Sequence, residues 1–254
     1  MTSIEILGCR VDAVGREAAI ERVVALAHGT TPSIVVTLGT EMVMEAQHNL
    51  QFRAVIDGAA LVVCDTIGLL LASRLRGGPL RERVTGVDLV QLLASRSHRE
   101  KLRMFLLGGR AETSERASAS LVANGAMVAG SHHGYFTSGD DASGDDASIV
   151  AQIRASGANV LLVGLGSPKQ ELWLAQHLAA TGCSVGIGIG GTLDVLAGSV
   201  ERAPEIWQKL GLEWCYRLVR EPWRWRRQLA LPAFFILALR EAAQLCVSRG
   251  KTTG

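Results

Sequence analysis

The sequence predicts an α/β fold in which helices cover both faces of a parallel sheet, and three observations carry that prediction. Apolar runs of strand length alternate with helix-length amphipathic stretches, the order of a layered α/β chain. Several of these runs end directly in glycine, at Gly108-Gly109, Gly164-Leu165-Gly166 and Gly190-Gly191, which suits tight strand-to-helix turns. The chain has 254 residues, 48% apolar and 20% charged, enough for one large packed core and incompatible with a wholly disordered chain. The expected body is therefore Rossmann-like and spans 1–200, followed by a helical, basic appendage over 201–254.

Taken in order, the strand candidates are Ile4–Leu7 (IEIL), Ile34–Thr37 (IVVT), Ala60–Cys64 (ALVVC), Arg103–Leu107 (RMFLL), Met127–Ala129 (MVA), Asn159–Val163 (NVLLV) and Val185–Ile189 (VGIGI). Each is a short run rich in the branched and large apolar residues that strands favour. Helices are expected between them, near 15–27, 40–48, 67–76, 86–97, 111–124, 146–156 and 169–180. One stretch is locally repetitive: residues 139–148 read GDDAS twice, which predicts an expanded, solvated surface loop.

Composition also narrows the function. No apolar run reaches the 18 residues of a membrane span, and MTSIEILGCRVDAVGRE lacks the basic and apolar regions of a signal peptide, so a cytoplasmic protein is expected. Five scattered cysteines (Cys9, Cys64, Cys183, Cys215 and Cys246) contain no C-x-x-C pair, which argues for reduced thiols and against a disulfide framework or zinc site. Net charge is +2, yet residues 217–254 hold eight Arg or Lys against Glu221 and Glu241, so that piece carries +6 and the remainder −4. Trp207, Trp214, Trp223 and Trp225 lie in or beside this piece, next to the apolar LALPAFFILAL of 229–239. Arginine and tryptophan interleaved beside such a run suggest a segment that meets a membrane surface. The alternative is a helix packed on the body with its arginines in water. No helix-turn-helix, zinc-finger or RNA-binding signature accompanies the basic tail, so nucleic acid is not the expected partner.

Chemistry is expected at the carboxyl ends of the strands, where loops meet helix N-termini. Gly108, Gly109, Gly164 and Gly166 fit a phosphate-bearing ligand and a plain turn equally well. Gly164-Leu165-Gly166-Ser167-Pro168-Lys169 places lysine where a dinucleotide fingerprint needs its third glycine, and no Walker A loop is present. Asp65 follows an apolar strand and precedes a helix, so it is either a helix cap or a functional carboxylate. Thr37 should open onto the same edge, with Arg83 and Arg81 close enough in sequence to approach it. Asp194 has the position of a ribose-binding acid. His132 and His133, adjacent on a strand, should point oppositely and make a poor metal pair. Cys64 has no fixed histidine partner, which disfavours a thiol nucleophile.

The chain resembles the WecG/TagA/CpsF glycosyltransferases, bacterial enzymes that extend sugars linked to polyprenyl diphosphate. The resemblance rests on ordered stretches over roughly residues 4 to 240: VVTLGTEM, the Asp65 region, GGPLRERVTGVDLV, FLLGGR, HGYF, VGLGSPKQE, GGTLDVLAG, RAPEIWQKLGLEW and YRLVREPWRWRR. It implies inverting, metal-independent transfer from a UDP-sugar, with no further cofactor and no metal, to a sugar on polyprenyl diphosphate. By resemblance Asp65 falls on the family's base, Thr37, Arg83 and Gln170 on its pocket, and Tyr135 and Asp194 on positions that hold uridine. Arg217, Arg224 and Arg227 fall on appendage arginines that meet diphosphate at the inner face of the cell membrane. Self-association into a homo-oligomer is a further expectation of the resemblance.

Two positions depart from the family pattern. Thr37-Leu38-Gly39 stands where Thr-x-Asn is usual, and Cys64-Asp65-Thr66 where Pro-Asp-Gly is usual. The first change removes an amide able to donate and accept, and the second adds a methyl and a hydroxyl beside the base. With Asp65, Arg83 and Gln170 retained, altered specificity is favoured over lost activity. A glycosyltransferase acting on a soluble acceptor and a non-catalytic UDP-sugar-binding protein are the competing readings, and a nicotinamide oxidoreductase is disfavoured by the missing fingerprint.

Overall fold

A computed structural model describes residues 2–136, 143–204, 206–207, 213–220 and 230–251. Among these residues a six-stranded parallel sheet has the order β4-β3-β8-β7-β5-β6. Its strands are β3 (Ser33–Leu38), β4 (Leu61–Cys64), β5 (Met104–Gly108), β6 (Val128–His132), β7 (Val160–Gly164) and β8 (Val185–Gly188). The helices are α1 (Arg16–Ala27), α2 (Thr40–Ala46), α3 (Leu50–Gly58), α4 (Ile67–Leu75), α5 (Gly86–Arg96), α6 (Ala111–Ala123), α7 (Ser143–Ser156), α8 (Lys169–Thr181) and α9 (Thr192–Leu196). Two more, α10 (Glu213–Arg220) and α11 (Ala230–Lys251), make the C-terminal piece. The α/β class and the parallel sheet follow the sequence expectation.

Alternation along the strands decides which helix covers which face. Val35, Leu61, Val63, Leu106, Leu162 and Ile187 point into one core, closed by residues of α1, α5, α6 and α9. Their neighbours point the other way. Val36, Leu38 and Val62 pack with α2, α3 and α4, while Phe105, Leu107, Leu161 and Val163 pack with α7 and α8. Sandwiched on both faces, the sheet offers a ligand its carboxyl edge.

Three local elements differ from the sequence reading. IEIL is a strand, β1 (Ser3–Ile6), but it lies outside the main sheet, pairing antiparallel with β2 (Cys9–Asp12). The two-residue turn Leu7-Gly8 has both residues at positive φ, the primed geometry that matches strand twist. This hairpin is docked on edge strand β4 by buried Asp12, whose Oδ2 accepts the Val62 N–H at 2.8 Å. Helix α3 was not expected; Asn49 caps it by accepting the Phe52 N–H at 3.0 Å, and Phe52 and Ile56 are its buried face. Residues 139–142 of the first GDDAS copy lie outside the described residues, while the second copy forms the start of α7, correcting the loop expectation for that copy. Its Asp146 is buried and accepts the Trp173 indole N–H at 2.8 Å.

Helix α11 is anchored by residues 234, 238 and 241, four and three apart on one face. Phe234 and Ala238 are buried in the core shared with α2 and α4. Glu241 takes the Arg76 guanidinium at 2.8 Å and accepts the Leu7 N–H of the hairpin turn. No helix among the described residues is long and apolar enough to cross a membrane. Replacing Phe234 with Ala removes a fully buried ring, and chemical denaturation should show a loss of about 3 kcal/mol; a change under about 1 kcal/mol would mean that α11 is not part of the cooperative core.

Candidate active site

A cleft of about 1640 Å³ runs along the carboxyl edge of the sheet. Its walls include Thr37, Asp65, Arg83, Tyr135, Gln170 and Asp194, so the candidate residues from six separate segments meet in one place. Gly109, Gly164 and Gly166 also line it. Gly108 lies beneath, with φ of +142°, where any Cβ would run into the Gly164 carbonyl; its glycine is required by strand packing rather than by the cleft.

Asp65 is positioned by backbone. Its N–H donates to the Leu38 carbonyl at 3.0 Å, while the Val84 N–H donates to the Cys64 carbonyl at 2.8 Å. Residues 83–86 therefore run beside the end of β4 and bring Arg83 next to Asp65 across 18 positions of chain. The carboxylate does not cap α4, whose cap position is Thr66. Instead Asp65 Oδ1 accepts the Gly86 N–H at 3.0 Å, at the first turn of α5, which fixes the carboxylate against the sheet edge. Asp65 thus lines the cleft and is not the cap of the helix that follows it, while its Oδ1 takes an N–H at the N-terminus of α5.

Electrostatic pairing extends to the C-terminal piece. Arg83 Nη1 lies 3.6 Å from Glu213 Oε2 at the start of α10, both side chains largely shielded from water. Trp214, Leu231, Pro232 and Phe235 of α10 and α11 line the cleft with it. Tyr135 stands at the rim, 69% exposed. Asp194 is placed by the short helix α9. Arg217 lies in α10 with its side chain outside the described residues, and Arg224 and Arg227 lie outside them altogether. Arg81 is not brought in; it is turned back to the Gly78 carbonyl at 3.1 Å. His132 ends β6 and His133 follows it, and their rings lie 4.4 Å apart, tilted by 40°, rather than pointing oppositely.

Thr37 and Gln170 are more deeply set than a pocket lining requires. The Thr37 hydroxyl donates to the Gly188 carbonyl at 2.8 Å and keeps lone pairs for a ligand. Gln170, at the first turn of α8, is buried; its Nε2 donates to Glu171 Oε1 at 2.6 Å and its Oε1 accepts the Gly190 N–H at 2.9 Å. Glu171 was missed by the sequence reading. Its spacing from Leu174 and Leu178, three and seven residues on, places it on the buried stripe of α8 and was the available signal.

The two positions read as departures from the family pattern face one another. A Cβ at Gly39 would meet the Thr66 Cγ2 at 3.3 Å, tighter than ordinary packing. The Thr66 hydroxyl meanwhile accepts the Thr40 N–H at 3.2 Å, tying the start of α4 to the start of α2. The threonine methyl thus lies against the space that a side chain at position 39 would need. Register explains the meeting, because Leu38 and Cys64 pair across β3 and β4, and one residue beyond Leu38 and two beyond Cys64 lead to these positions.

A carboxylate, an arginine and a tyrosine gathered where parallel strands end, beside a tryptophan-bearing C-terminal piece, are the outline of a group-transfer enzyme. The Glycosyl transferase WecG/TagA/CpsF family model matches residues 4–246, and the chain belongs to that family. A relative from Bacillus spizizenii, an N-acetylglucosaminyldiphosphoundecaprenol N-acetyl-beta-D-mannosaminyltransferase, is 34% identical over 212 residues, covering 82% of this chain and 79% of the relative.

Cys64 adjoins Asp65 but is not built to react. It is buried, its Sγ donates to the Thr66 carbonyl at 3.6 Å, and burial together with the Asp65 charge pushes the thiol up to about 12, against the pull of Arg83. Raised above its ordinary value, the thiol stays protonated at neutral pH. Iodoacetamide at pH 8 should therefore leave Cys64 unmodified in the native protein and modify it after unfolding, as read by peptide mass spectrometry; rapid native labelling would contradict the assignment.

Proposed function

We propose that the protein is an inverting, metal-independent glycosyltransferase that moves a sugar, N-acetylmannosamine or another hexose, from a UDP-sugar to a sugar carried on polyprenyl diphosphate. The observation that supports this most is the meeting of Asp65 and Arg83 in the cleft of a chain that belongs to this family. The name of the Bacillus relative describes transfer of N-acetylmannosamine to an N-acetylglucosaminyl-diphospholipid, and the acceptor assigned here is of that kind.

In the proposed reaction an acceptor hydroxyl loses its proton to the Asp65 carboxylate as its oxygen bonds to the anomeric carbon from the face opposite UDP. The bond from that carbon to the diphosphate oxygen breaks, and its electron pair leaves with UDP. Arg83 stabilises the charge that develops there, joined by Arg217, Arg224 and Arg227 of the C-terminal piece. Tyr135 stacks on the uracil at the rim and Asp194 binds the ribose hydroxyls. Thr37 and Gln170 hold the sugar ring or diphosphate.

The C-terminal piece is assigned two tasks, closing the cleft and holding the protein to the inner face of the membrane where the lipid-linked acceptor lies. Its +6 charge over 217–254 supports the second task, as do Ile236 and Leu239 of α11, each 53% exposed, and Leu75 on the neighbouring α4, 52% exposed. Homo-oligomer formation away from the membrane belongs to the same reading.

Asp65→Asn keeps the shape and removes the base, so kcat should fall by about 10² to 10⁴ while UDP binding persists. The assay is UDP release across a panel of UDP-sugars, with a polyprenyl-diphosphate-sugar, with a soluble sugar and with no acceptor. Release by wild type that requires the lipid acceptor supports the proposal; dependence on the soluble sugar moves the enzyme to another class of acceptor, and equal rates for Asp65→Asn remove Asp65 as base.

Gly39 and Thr66 are proposed to set the sugar preference together. Gly39→Asn alone must displace the Thr66 methyl and should lower kcat/KM with the preferred donor at least about tenfold, the scale of a forced overlap in a packed site. Adding Thr66→Gly should relieve part of that loss and reorder the ranking of donors or acceptors. Strictly multiplicative single-variant effects, with an unchanged ranking, would show the two positions to be independent.

A further inference from the structure

The mechanism leaves one buried ionisable group without a task. Glu171 is fully buried at the first turn of α8, directly under the cleft. Burial drives its carboxyl above the ordinary carboxylate range, against the opposing pull of the Gln170 amide that donates to it. Such a group is expensive to keep unless its position matters.

The hydrogen-bond pattern fixes what it does. Gly190 N–H is a backbone donor that cannot be reversed, and it points at the Gln170 carboxamide, 2.9 Å away. That end of the amide must therefore be the carbonyl oxygen, since a flipped amide would set two donors against each other. The amide nitrogen is thereby turned to Glu171 Oε1 at 2.6 Å, so this oxygen must be an acceptor. Any carboxyl proton then resides on Oε2, which is buried without a well-formed hydrogen bond, as is the Ser167 hydroxyl that also neighbours the carboxyl. The pair has no slack on the sheet side: a Cβ at Gly188 would lie 2.7 Å from both Gln170 Nε2 and Glu171 Oε1. The Gly188 carbonyl in turn receives the Thr37 hydroxyl, so the same strand end sets both Thr37 and Gln170.

We propose that Glu171 is a positioning residue that locks the Gln170 carboxamide, so that Gln170 offers the cleft one N–H donor and not its carbonyl. Of the two amide hydrogens, Glu171 holds one, and the other is what remains for a ligand. The matching ligand group is an acceptor oxygen, of a sugar hydroxyl or of a diphosphate. This inference rests on the cleft being the active site proposed above.

The test compares Glu171→Gln with Glu171→Met in the full chain. Glutamine keeps an acceptor oxygen for Gln170 and a donor toward Ser167; methionine keeps the volume and removes the acceptor. The expected result is that Glu171→Gln loses no more than about threefold in kcat/KM. Glu171→Met should lose about 10- to 100-fold, the scale of a misaligned contact. A second readout needs no substrate: the Gln170 side-chain amide signals in an 15N–1H spectrum, assigned by their loss in Gln170→Leu. These should persist as a resolved, slowly exchanging pair in wild type and Glu171→Gln, and shift and exchange rapidly in Glu171→Met. Unchanged Gln170 signals in a folded Glu171→Met protein, or equal damage from both substitutions, would overturn the role. If wild type transfers no sugar in any assay, the glycosyltransferase reading falls by itself, and the spectrum alone then decides whether Glu171 orients Gln170.

Discussion

The parallel direction of the six strands is the constraint from which the site follows. A parallel strand must be followed by a crossover, so each strand end on one edge becomes a loop leading to the start of a helix or another segment. Both faces of the sheet are filled by helices, which leaves that edge as the place where loops from distant parts of the sequence meet. Thr37, Asp65 and Gly164 are each within a residue or two of a strand end, and they share a cleft although more than a hundred positions separate the first from the last. Moving any one of these strands by a residue would exchange its two faces and lose the core before it lost the cleft.

On that edge the protein uses backbone more than side chain to aim its polar groups. Leu38, Gly86, Gly188 and Gly190 contribute carbonyls or N–H groups to Asp65, Thr37 and Gln170. Such partners cannot rotate away, so the groups they hold lose little further freedom when a ligand binds. The cationic side is arranged differently. Arg83 is approached by Glu213 from α10, which makes the environment of this arginine depend on a helix far along the chain. The carboxylate and the glutamine are thus set by the sheet, and the arginine is set jointly by the sheet and the C-terminal piece.

The long, regular features were legible in the sequence because they rest on local pattern. VVTL, LVVC, FLLG and LLVG are apolar on both sides of the pleat, and a strand buried on both faces has to be written that way. Asp65 and Thr37 were legible for a related reason, since polar residues at or just after the end of such runs fall on the carboxyl edge of the sheet. Features decided by tertiary partners were not. IEIL reads as a strand, but nothing in it says that Cys9–Asp12 will pair with it instead of a main-sheet neighbour. GDDAS reads as solvent-exposed until Trp173, 27 residues on, supplies a partner for Asp146. The juxtaposition of Gly39 and Thr66 was invisible for the same reason: each is a departure read separately, and only strand register brings them together.

The salt bridge of Glu241 with Arg76, and its hold on the Leu7 turn, have a consequence for the order in which the protein matures. Synthesis is directional, and earlier elements fold while later ones are still being added at about 5–20 residues per second. The hairpin at residues 3–12 and the sheet can be complete while the helix that carries Glu241 has not left the ribosome. During that interval, on the order of seconds, the apolar bed of α2 and α4 that will receive Phe234 is uncovered. The cleft at that stage lacks the wall given by Trp214 and Phe235, and Arg83 lacks Glu213. A nascent chain therefore carries Asp65 at the sheet edge before the wall of its cleft is complete, and the cleft is finished only when α11 comes back to meet the hairpin.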